Sequence, residues 1–239
     1  MDIVNLNTYT PISLISYGSC AAIWLGIYLY LLYRVRKTGF AEVPLIAFSG
    51  FIAWEVLWGY VFRSDMGTLA LYGLKVFAPL SVYIGWEVFR AGHKQFFTRT
   101  VQKQVPLLLG FTLVSWMALL YYLIPAIDDP AGLTTATVLT MIYSAFALHL
   151  LLKVFEHEGA AGLRKLSFGV GCARVVANMC GGTFCYLHLL SVGDRRWLLV
   201  VAAATTAMDL AYVFIFQKLR ATATDAAPAA QPATVQATT

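Results

Sequence analysis

Residues 105–124, VPLLLGFTLVSWMALLYYLI, form a run of twenty residues without a charged side chain. A helix needs about 20 apolar residues to cross the hydrocarbon core of a bilayer, so this stretch predicts a transmembrane helix. The same character extends through the chain, because 59% of its 239 residues are hydrophobic and 12% are charged. Soluble domains carry about 25% charged residues. The sequence therefore predicts an integral membrane protein.

Six further apolar segments flank residues 105–124 and predict an all-α bundle of seven transmembrane helices. No Lys or Arg precedes the first segment, which indicates a retained helix rather than a cleaved signal peptide. Residues 221–239 are rich in Ala, Thr and Pro and predict a disordered tail after a transmembrane domain of residues 1–220. The predicted spans are about 12–33, 43–62, 69–89, 105–124, 133–154, 166–190 and 197–216.

The Lys and Arg residues of the linkers fall into two unequal groups. Twelve follow the odd-numbered spans and three follow the even-numbered spans. Positive residues concentrate on the cytoplasmic side, so we expect the N-terminus outside and the C-terminus inside. The Ala/Thr-rich tail favours a bacterial cell membrane, and a fungal protein would lie in the endoplasmic reticulum. The twelve are Arg34, Arg36, Lys37, Arg90, Lys94, Arg99, Lys103, Lys153, Arg164, Lys165, Lys218 and Arg220, and the three are Arg63, Arg195 and Arg196.

This topology predicts where reporter fusions are located. A reporter fused after Arg220 is expected to read cytoplasmic, and one inserted near Asp128 is expected to read external, because an odd number of spans separates the two positions. Alkaline phosphatase and fluorescent-protein fusions measure the two locations. Finding both reporters on one side of the membrane would contradict the seven-helix topology.

Four charged residues lie deep inside the predicted spans: Glu55, Lys75, Arg174 and Asp209. At about 1.5 Å per residue, Glu55 and Lys75 lie about 10 and about 9 Å from the outer edge, and Asp209 and Arg174 about 10 and about 12 Å from the inner edge. One hypothesis is two buried ion pairs, Glu55–Lys75 and Asp209–Arg174. The other is that one or both carboxyl groups face a cavity, where desolvation keeps a proton available for donation.

Aromatic residues accompany these acids and favour a cavity that binds a cation. The faces of aromatic rings stabilise positive charge, and a reaction that runs through carbocations needs such walls and few nucleophiles. Trp and Tyr are also common at membrane interfaces, which is the alternative explanation for them. The candidate cation-binding residues are Trp54, Trp58, Tyr60, Tyr83, Trp86 and Tyr212.

Other classes of site find little support in the sequence. The four cysteines lie in apolar segments and the four histidines lack the spacing of ligands, so we expect no metal and no cofactor. The pair Asp128–Asp129 lacks the further acid of an aspartate-rich diphosphate motif, which makes diphosphate ionisation an unfavoured reaction. No nucleic-acid motif is present, because the basic residues follow the membrane topology.

Two motifs carry a resemblance to a known family. AWEVLWGY at residues 53–60 contains Glu55 after a Trp in the second span, and AMDLAYVF at residues 207–214 contains Asp209 in the last. Together with the chain size and the seven-helix layout, they resemble the small integral-membrane terpene cyclases of fungal meroterpenoid and indole-diterpene pathways, and the bacterial relatives that cyclise prenylated indoles. The resemblance covers residues 12–216, and Glu55 and Asp209 match the essential acids of the family.

The resemblance implies cyclisation of a prenyl chain on an indole or other aromatic head, started by protonation of a terminal alkene or epoxide. It also implies an upstream prenyltransferase and, for an epoxide, a flavin monooxygenase. A small proton-coupled transporter is the alternative, because membrane carboxylates beside Lys75 and Arg174 could relay protons. A transporter predicts an inverted repeat, for which the sequence offers little support. A retinal protein would need a lysine in the seventh span, which has none.

Overall fold

The computed structural model describes residues 3–96, 98–129, 132–192 and 196–225. This part of the chain forms seven α-helices and no β-strand, which confirms the predicted all-α bundle. A short 3₁₀ turn, His93–Gln95, follows the third helix. The helices are α1 (Pro11–Thr38), α2 (Leu45–Tyr60), α3 (Thr68–Gly92), α4 (Arg99–Ala126), α5 (Leu133–Leu163), α6 (Phe168–Val192) and α7 (Trp197–Asp225).

Helix length and composition support a membrane location. Five helices of the described chain, α1, α3, α4, α5 and α7, are long and apolar enough to span a bilayer. The apolar helix α2 has 16 residues, which corresponds to about 24 Å at about 1.5 Å per residue. Helix α6 is apolar apart from a few polar side chains, among them Arg174 and Asn178. The protein is therefore a multi-pass membrane protein.

Most helices extend beyond the predicted spans. Helix α1 continues to Thr38 instead of residue 33, and α4 begins at Arg99 instead of residue 105. Hydropathy marks only the part of a helix within hydrocarbon, whereas backbone hydrogen bonding continues through charged residues in the polar interface. For the same reason α7 continues to Asp225, five residues past the predicted domain boundary at residue 220. The rest of the predicted disordered tail, residues 226–239, lies outside the described residues.

Six helices form a closed ring. Going round the ring, α1 packs against α3, α3 against α2, α2 against α5, α5 against α7, α7 against α6, and α6 against α1. Helix α4 packs against α2 from outside the ring. Aromatic side chains meet in the centre, where the ring centroid of Trp24 lies 5.7 Å from those of both Phe51 and Tyr143. The ring therefore encloses an aromatic interior between α1, α2 and α5.

The segment before α1 is attached to the linker between α2 and α3. The backbone N–H of Asn5 donates to the carbonyl of Met66 at 3.1 Å, and the Tyr9 hydroxyl donates to Oδ1 of Asp65 at 2.6 Å. We call this side, with the start of α1 and the start of α3, the N-terminal end of the bundle.

The linker of residues 39–44 lies at the opposite end of the bundle, where hydrogen bonds attach it to neighbouring segments. Gly39 ends α1 in the left-handed conformation, with φ of +62°, and its N–H donates to Val35 O at 2.8 Å. The Gln95 amide donates to the carbonyls of Ala41 and Val43, each at 2.5 Å. Within this linker the buried Glu42 carboxylate accepts the backbone N–H of Ser167, just before α6, and lies 3.4 Å from Arg34 Nε. Glu42 therefore connects α1 to the start of α6.

The titration of Glu42 is expected to make stability fall as pH rises. Burial raises the pKa of Glu42 from 4.5 to about 7, although the Ser167 N–H and Arg34 oppose this shift. Between these two values the folded state keeps a proton that the unfolded state has lost, so the free energy of unfolding decreases with rising pH and levels off above about 7. Melting curves in detergent at several pH values measure the slope. Glu42→Gln is expected to flatten it, and equal slopes in both proteins would contradict the assignment.

Candidate active site

The carboxyl group of Glu55 lies inside the ring of helices. It projects from α2, is 6% exposed, and accepts a hydrogen bond from the Tyr28 hydroxyl of α1 at 3.0 Å. The buried hydroxyl of Ser81 on α3 lies beside the same carboxyl. No Lys, Arg or His of the described chain forms an ion pair with Glu55. Glu55 is therefore buried among neutral hydrogen-bonding groups.

Glu55 lines a cavity of about 140 Å³, which we call the Glu55 cavity. Four helices, α1, α2, α3 and α5, contribute to its walls, and aromatic rings make up half of them. Polar groups other than Glu55 come from hydroxyl and thiol side chains and from the indole N–H of Trp54. The lining residues besides Glu55 are Tyr17, Cys20, Ala21, Trp24, Tyr28, Phe51, Trp54, Leu74, Phe77, Ala136 and Thr140.

Asp209 has a different environment, because it is paired with a cation. It is 0% exposed, and its Oδ1 lies 2.9 Å from Nη2 of Arg174 on α6. Its Oδ2 accepts a hydrogen bond from the Asn178 amide at 2.5 Å. The Arg174 guanidinium lies 4.5 Å from the ring centroid of Tyr212 and 5.5 Å from that of Tyr143. The Asp209–Arg174 ion pair that the sequence suggested is therefore present in the structure.

A second cavity, of about 100 Å³, adjoins the Glu55 cavity. We call it the Asn178 cavity, because Asn178 lines it while donating to Asp209. Trp24, Cys20 and Thr140 are among the residues that line both cavities. Glu55 thus lines one of two adjoining cavities, and Asp209 lies next to the other through its hydrogen bond with Asn178.

A comparison with protein families decides the identity. The sequence model of the Pyr4-like transmembrane terpene cyclases matches residues 5–222, which include nearly all of the seven helices. The chain belongs to this family. Curated proteins and solved structures give no match. The protein is therefore a transmembrane terpene cyclase, as the motifs around Glu55 and Asp209 indicated, and family membership argues against the alternative of a proton-coupled transporter.

The predicted ion pair between Glu55 and Lys75 is wrong. In the cyclase Lys75 is exposed on α3, and its Nζ lies 5.7 Å from the ring centroid of Tyr72. Leu74 lines the Glu55 cavity, and the next residue on a helix points about 100° away from it, since a helix has about 3.6 residues per turn. The prediction rested on the similar depths of Glu55 and Lys75 in the membrane, and depth does not indicate which way a side chain faces.

The six predicted aromatic residues of the cyclase divide into two groups. Trp54 lines the Glu55 cavity and donates its indole N–H to Thr135 Oγ1 at 2.9 Å. Trp58 is buried beside Trp54, with ring centroids 6.2 Å apart, and Tyr212 is buried against Arg174. The other three are exposed on the outside of the bundle, so their assignment to the cavity is wrong: Tyr60 at 61%, Tyr83 at 43% and Trp86 at 64%.

Helix phase explains these three errors. Tyr60 follows Glu55 by five residues on α2. Tyr83 and Trp86 follow the buried Ser81 on α3 by two and five residues. At about 100° per residue, all three point away from the interior. The Tyr83 hydroxyl instead contacts the exposed Arg36 guanidinium on α1. Aromatic side chains at these positions belong to the outer surface.

Helix α1 contributes residues to the cyclase cavities that were not predicted from the sequence. Tyr17, Trp24 and Tyr28 all line the Glu55 cavity, and Cys20 lies between them. Their spacing of three to four residues places them on one face of a helix. That periodicity was a usable signal, because α1 carries no charge in this stretch and only the aromatic spacing distinguishes its inner face. Asn178, one turn after Arg174, was missed in the same way.

Proposed function

We propose that this cyclase protonates the terminal alkene or epoxide of a prenyl chain, with Glu55 as the general acid. We favour a farnesyl chain attached to an indole or other aromatic head. The observation that carries the proposal is the buried Glu55 carboxyl group, which lacks a cationic partner in the described chain and faces an aromatic cavity. Burial without a counter-charge favours the neutral acid, which has a proton to give.

Protonation of an alkene balances without any other reactant. The Glu55 proton forms a new C–H bond at the CH carbon of the terminal double bond, and the electrons of that double bond leave a tertiary cation on the carbon that bears the two methyl groups. The next double bond attacks that cation to close a ring. The last cation loses a proton, which balances the one donated, so the product is an isomer of the substrate. With an epoxide, the proton goes to oxygen, a C–O bond breaks and the oxygen becomes a hydroxyl group.

The walls of the Glu55 cavity suit the cations of this reaction. Trp24, Phe51, Trp54 and Phe77 present rings to the space beside Glu55, and aromatic faces stabilise nearby positive charge. The Tyr28 hydroxyl donates to one oxygen of Glu55 and so orients the carboxyl group. The other oxygen, Oε2, is buried without a hydrogen-bond partner in the described chain, and we assign the transferable proton to it.

The Asn178 cavity suits the aromatic head of the substrate. Thr137, Thr140 and Thr205 line it, and each hydroxyl donates to a carbonyl of its own helix, at 2.7 to 2.8 Å. Their oxygen atoms therefore keep lone pairs to accept a hydrogen bond, such as one from an indole N–H. In this arrangement Asp209 is a positioning residue, because its carboxylate holds Asn178 and the cation of Arg174 rather than donating a proton.

Incubation with defined substrates tests the proposed function. Membranes containing the protein are supplied with farnesylated indole, with and without a terminal epoxide, and products are separated by mass and retention. A protein-dependent isomer in either arm supports cyclisation and tells which group is protonated. An upstream prenyltransferase would supply the first substrate, and a flavin monooxygenase the second. Absence of any isomer from both substrates, with folded protein present, would contradict the proposal.

A further inference from the structure

A third cavity lies between the N-terminal halves of α1 and α3. Its volume is about 290 Å³, larger than the 140 Å³ of the Glu55 cavity. Its lining includes Leu14 and Gly18 of α1, and Leu69, Ala70 and Gly73 of α3. Apart from the Tyr17 hydroxyl, all lining side chains are apolar. We call it the side cavity, and its surface suits a hydrocarbon chain and no polar head.

The side cavity adjoins the Glu55 cavity. Four residues line both: Tyr17 and Ala21 from α1, and Leu74 and Phe77 from α3. A chain that lies between α1 and α3 therefore needs to pass only these side chains to reach the carboxyl group of Glu55. No charged residue lines the side cavity.

Two glycines leave the side cavity open toward the outside of the bundle. Gly18 is exposed on α1, and a Cβ atom built on Gly18 or on Gly73 would meet no other heavy atom within 4 Å. Leu69 at the rim of the cavity is 65% exposed. In a membrane protein this outer surface faces the acyl chains of lipids, because α1 and α3 are both long apolar helices.

We propose that the side cavity is a lateral entrance through which the prenylated substrate passes from the bilayer between α1 and α3 to Glu55. This inference rests on the proposed function. The substrate enters with its aromatic head first, the head reaches the Asn178 cavity, and the chain end comes to rest beside Glu55. A prenylated indole dissolves in the bilayer, so an entrance from the lipid spares the apolar chain a passage through water.

Substitutions that fill the side cavity test the proposed entrance. Gly18→Phe and Gly73→Phe each place a ring in the side cavity from opposite helices, where the open space allows the protein to fold. With farnesylated indole in liposomes, we expect each variant to lower kcat/KM at least roughly tenfold, which is about 1.4 kcal/mol in the barrier. We expect kcat at saturating substrate to be unchanged, because the reacting groups are untouched.

Two matched controls use glycines with the same open surroundings elsewhere. Gly26→Phe lies on α1 and Gly110→Phe on α4, and a Cβ atom at either position meets nothing within 4 Å. Both controls should keep the wild-type kcat/KM. If the wild type is active and Gly18→Phe and Gly73→Phe have the same kcat/KM as the controls, only the proposed entrance is overturned. An inactive wild type would overturn the proposed function.

A photolabel gives a second readout that does not depend on turnover. Farnesylated indole with a diazirine on the chain is expected to label peptides of α1 and α3 in the wild type, and to label them less in Gly73→Phe. Labelling that is equal in Gly73→Phe and Gly26→Phe, with unchanged kcat/KM, would mean that the cavity holds only membrane lipid, and would overturn the proposal.

Discussion

Glu55→Gln is expected to lower turnover by roughly 10² to 10⁴-fold, which is the usual contribution of general acid catalysis. The amide keeps the size of the side chain and keeps an oxygen that can accept the Tyr28 hydroxyl, 3.0 Å away in the wild type. It removes only the transferable proton. Because Glu55 forms no ion pair in the described chain, the substitution leaves no opposite charge unpaired. We therefore expect the folded fraction and melting temperature to be close to those of the wild type.

Glu87→Gln is the matched control for this prediction. Glu87 also lies within a helix, but near the end of α3, where its carboxylate is 3.1 Å from Arg36 at the surface. Its replacement should leave turnover unchanged. Single-turnover formation of the isomeric product, measured on equal amounts of folded protein, compares the two variants. A wild-type rate in Glu55→Gln would show that another group supplies the proton.

Arg174→Ala is expected to destabilise the protein by roughly 3–5 kcal/mol, the cost of leaving one partner of a buried ion pair unpaired. Asp209 is 0% exposed, so the substitution leaves a buried carboxylate without its cationic partner. The substitution also removes the cation that lies against Tyr143 and Tyr212. The measurement is thermal denaturation in detergent, together with the yield of folded protein.

Lys75→Ala is the matched control, because the sequence placed Lys75 in an equivalent pair. The structure places it on the outer surface of α3, in no ion pair of the described chain, so its removal leaves no buried carboxylate unpaired and we expect a melting temperature close to that of the wild type. Replacing both members of the true pair, as in Arg174→Met with Asp209→Leu, is expected to recover much of the lost stability. Equal melting temperatures for wild type and Arg174→Ala would rule out the role of this pair in folding.

The ion pair between Asp209 and Arg174 changes the expected effect of replacing Asp209. From sequence alone, Glu55→Gln and Asp209→Asn are equivalent experiments, each expected to remove a proton donor and preserve the fold. In the structure Asp209→Asn leaves Arg174 buried without its counter-charge, so we expect it to lose folded protein as well as activity. Only activity per folded molecule can then separate a catalytic role of Asp209 from a positioning role.

The sequence by itself determined the membrane character, the seven helices and the two acids. Apolar composition is a property of each segment alone, so residues 105–124 predict a membrane helix regardless of their neighbours. The positions of Glu55 and Asp209 in their motifs were likewise sufficient to indicate the cyclase family, which the comparison with the family model confirmed. Depth in the membrane also follows from sequence, because rise along a helix is constant.

Only the tertiary structure decided which way each side chain faces and which charges meet. Lys75 and Arg174 both lie within apolar spans, yet Lys75 points out of the bundle while Arg174 meets Asp209 at 2.9 Å. The rotation of a helix about its axis is set by packing against its neighbours, and an apolar sequence all round the helix gives no indication of it. Surfaces facing lipid and surfaces facing the core are both apolar, so hydropathy does not identify the inner face of α1. The spacing of Trp24 and Tyr28 places them on one face, and the assembled ring of helices decided that this face points inward.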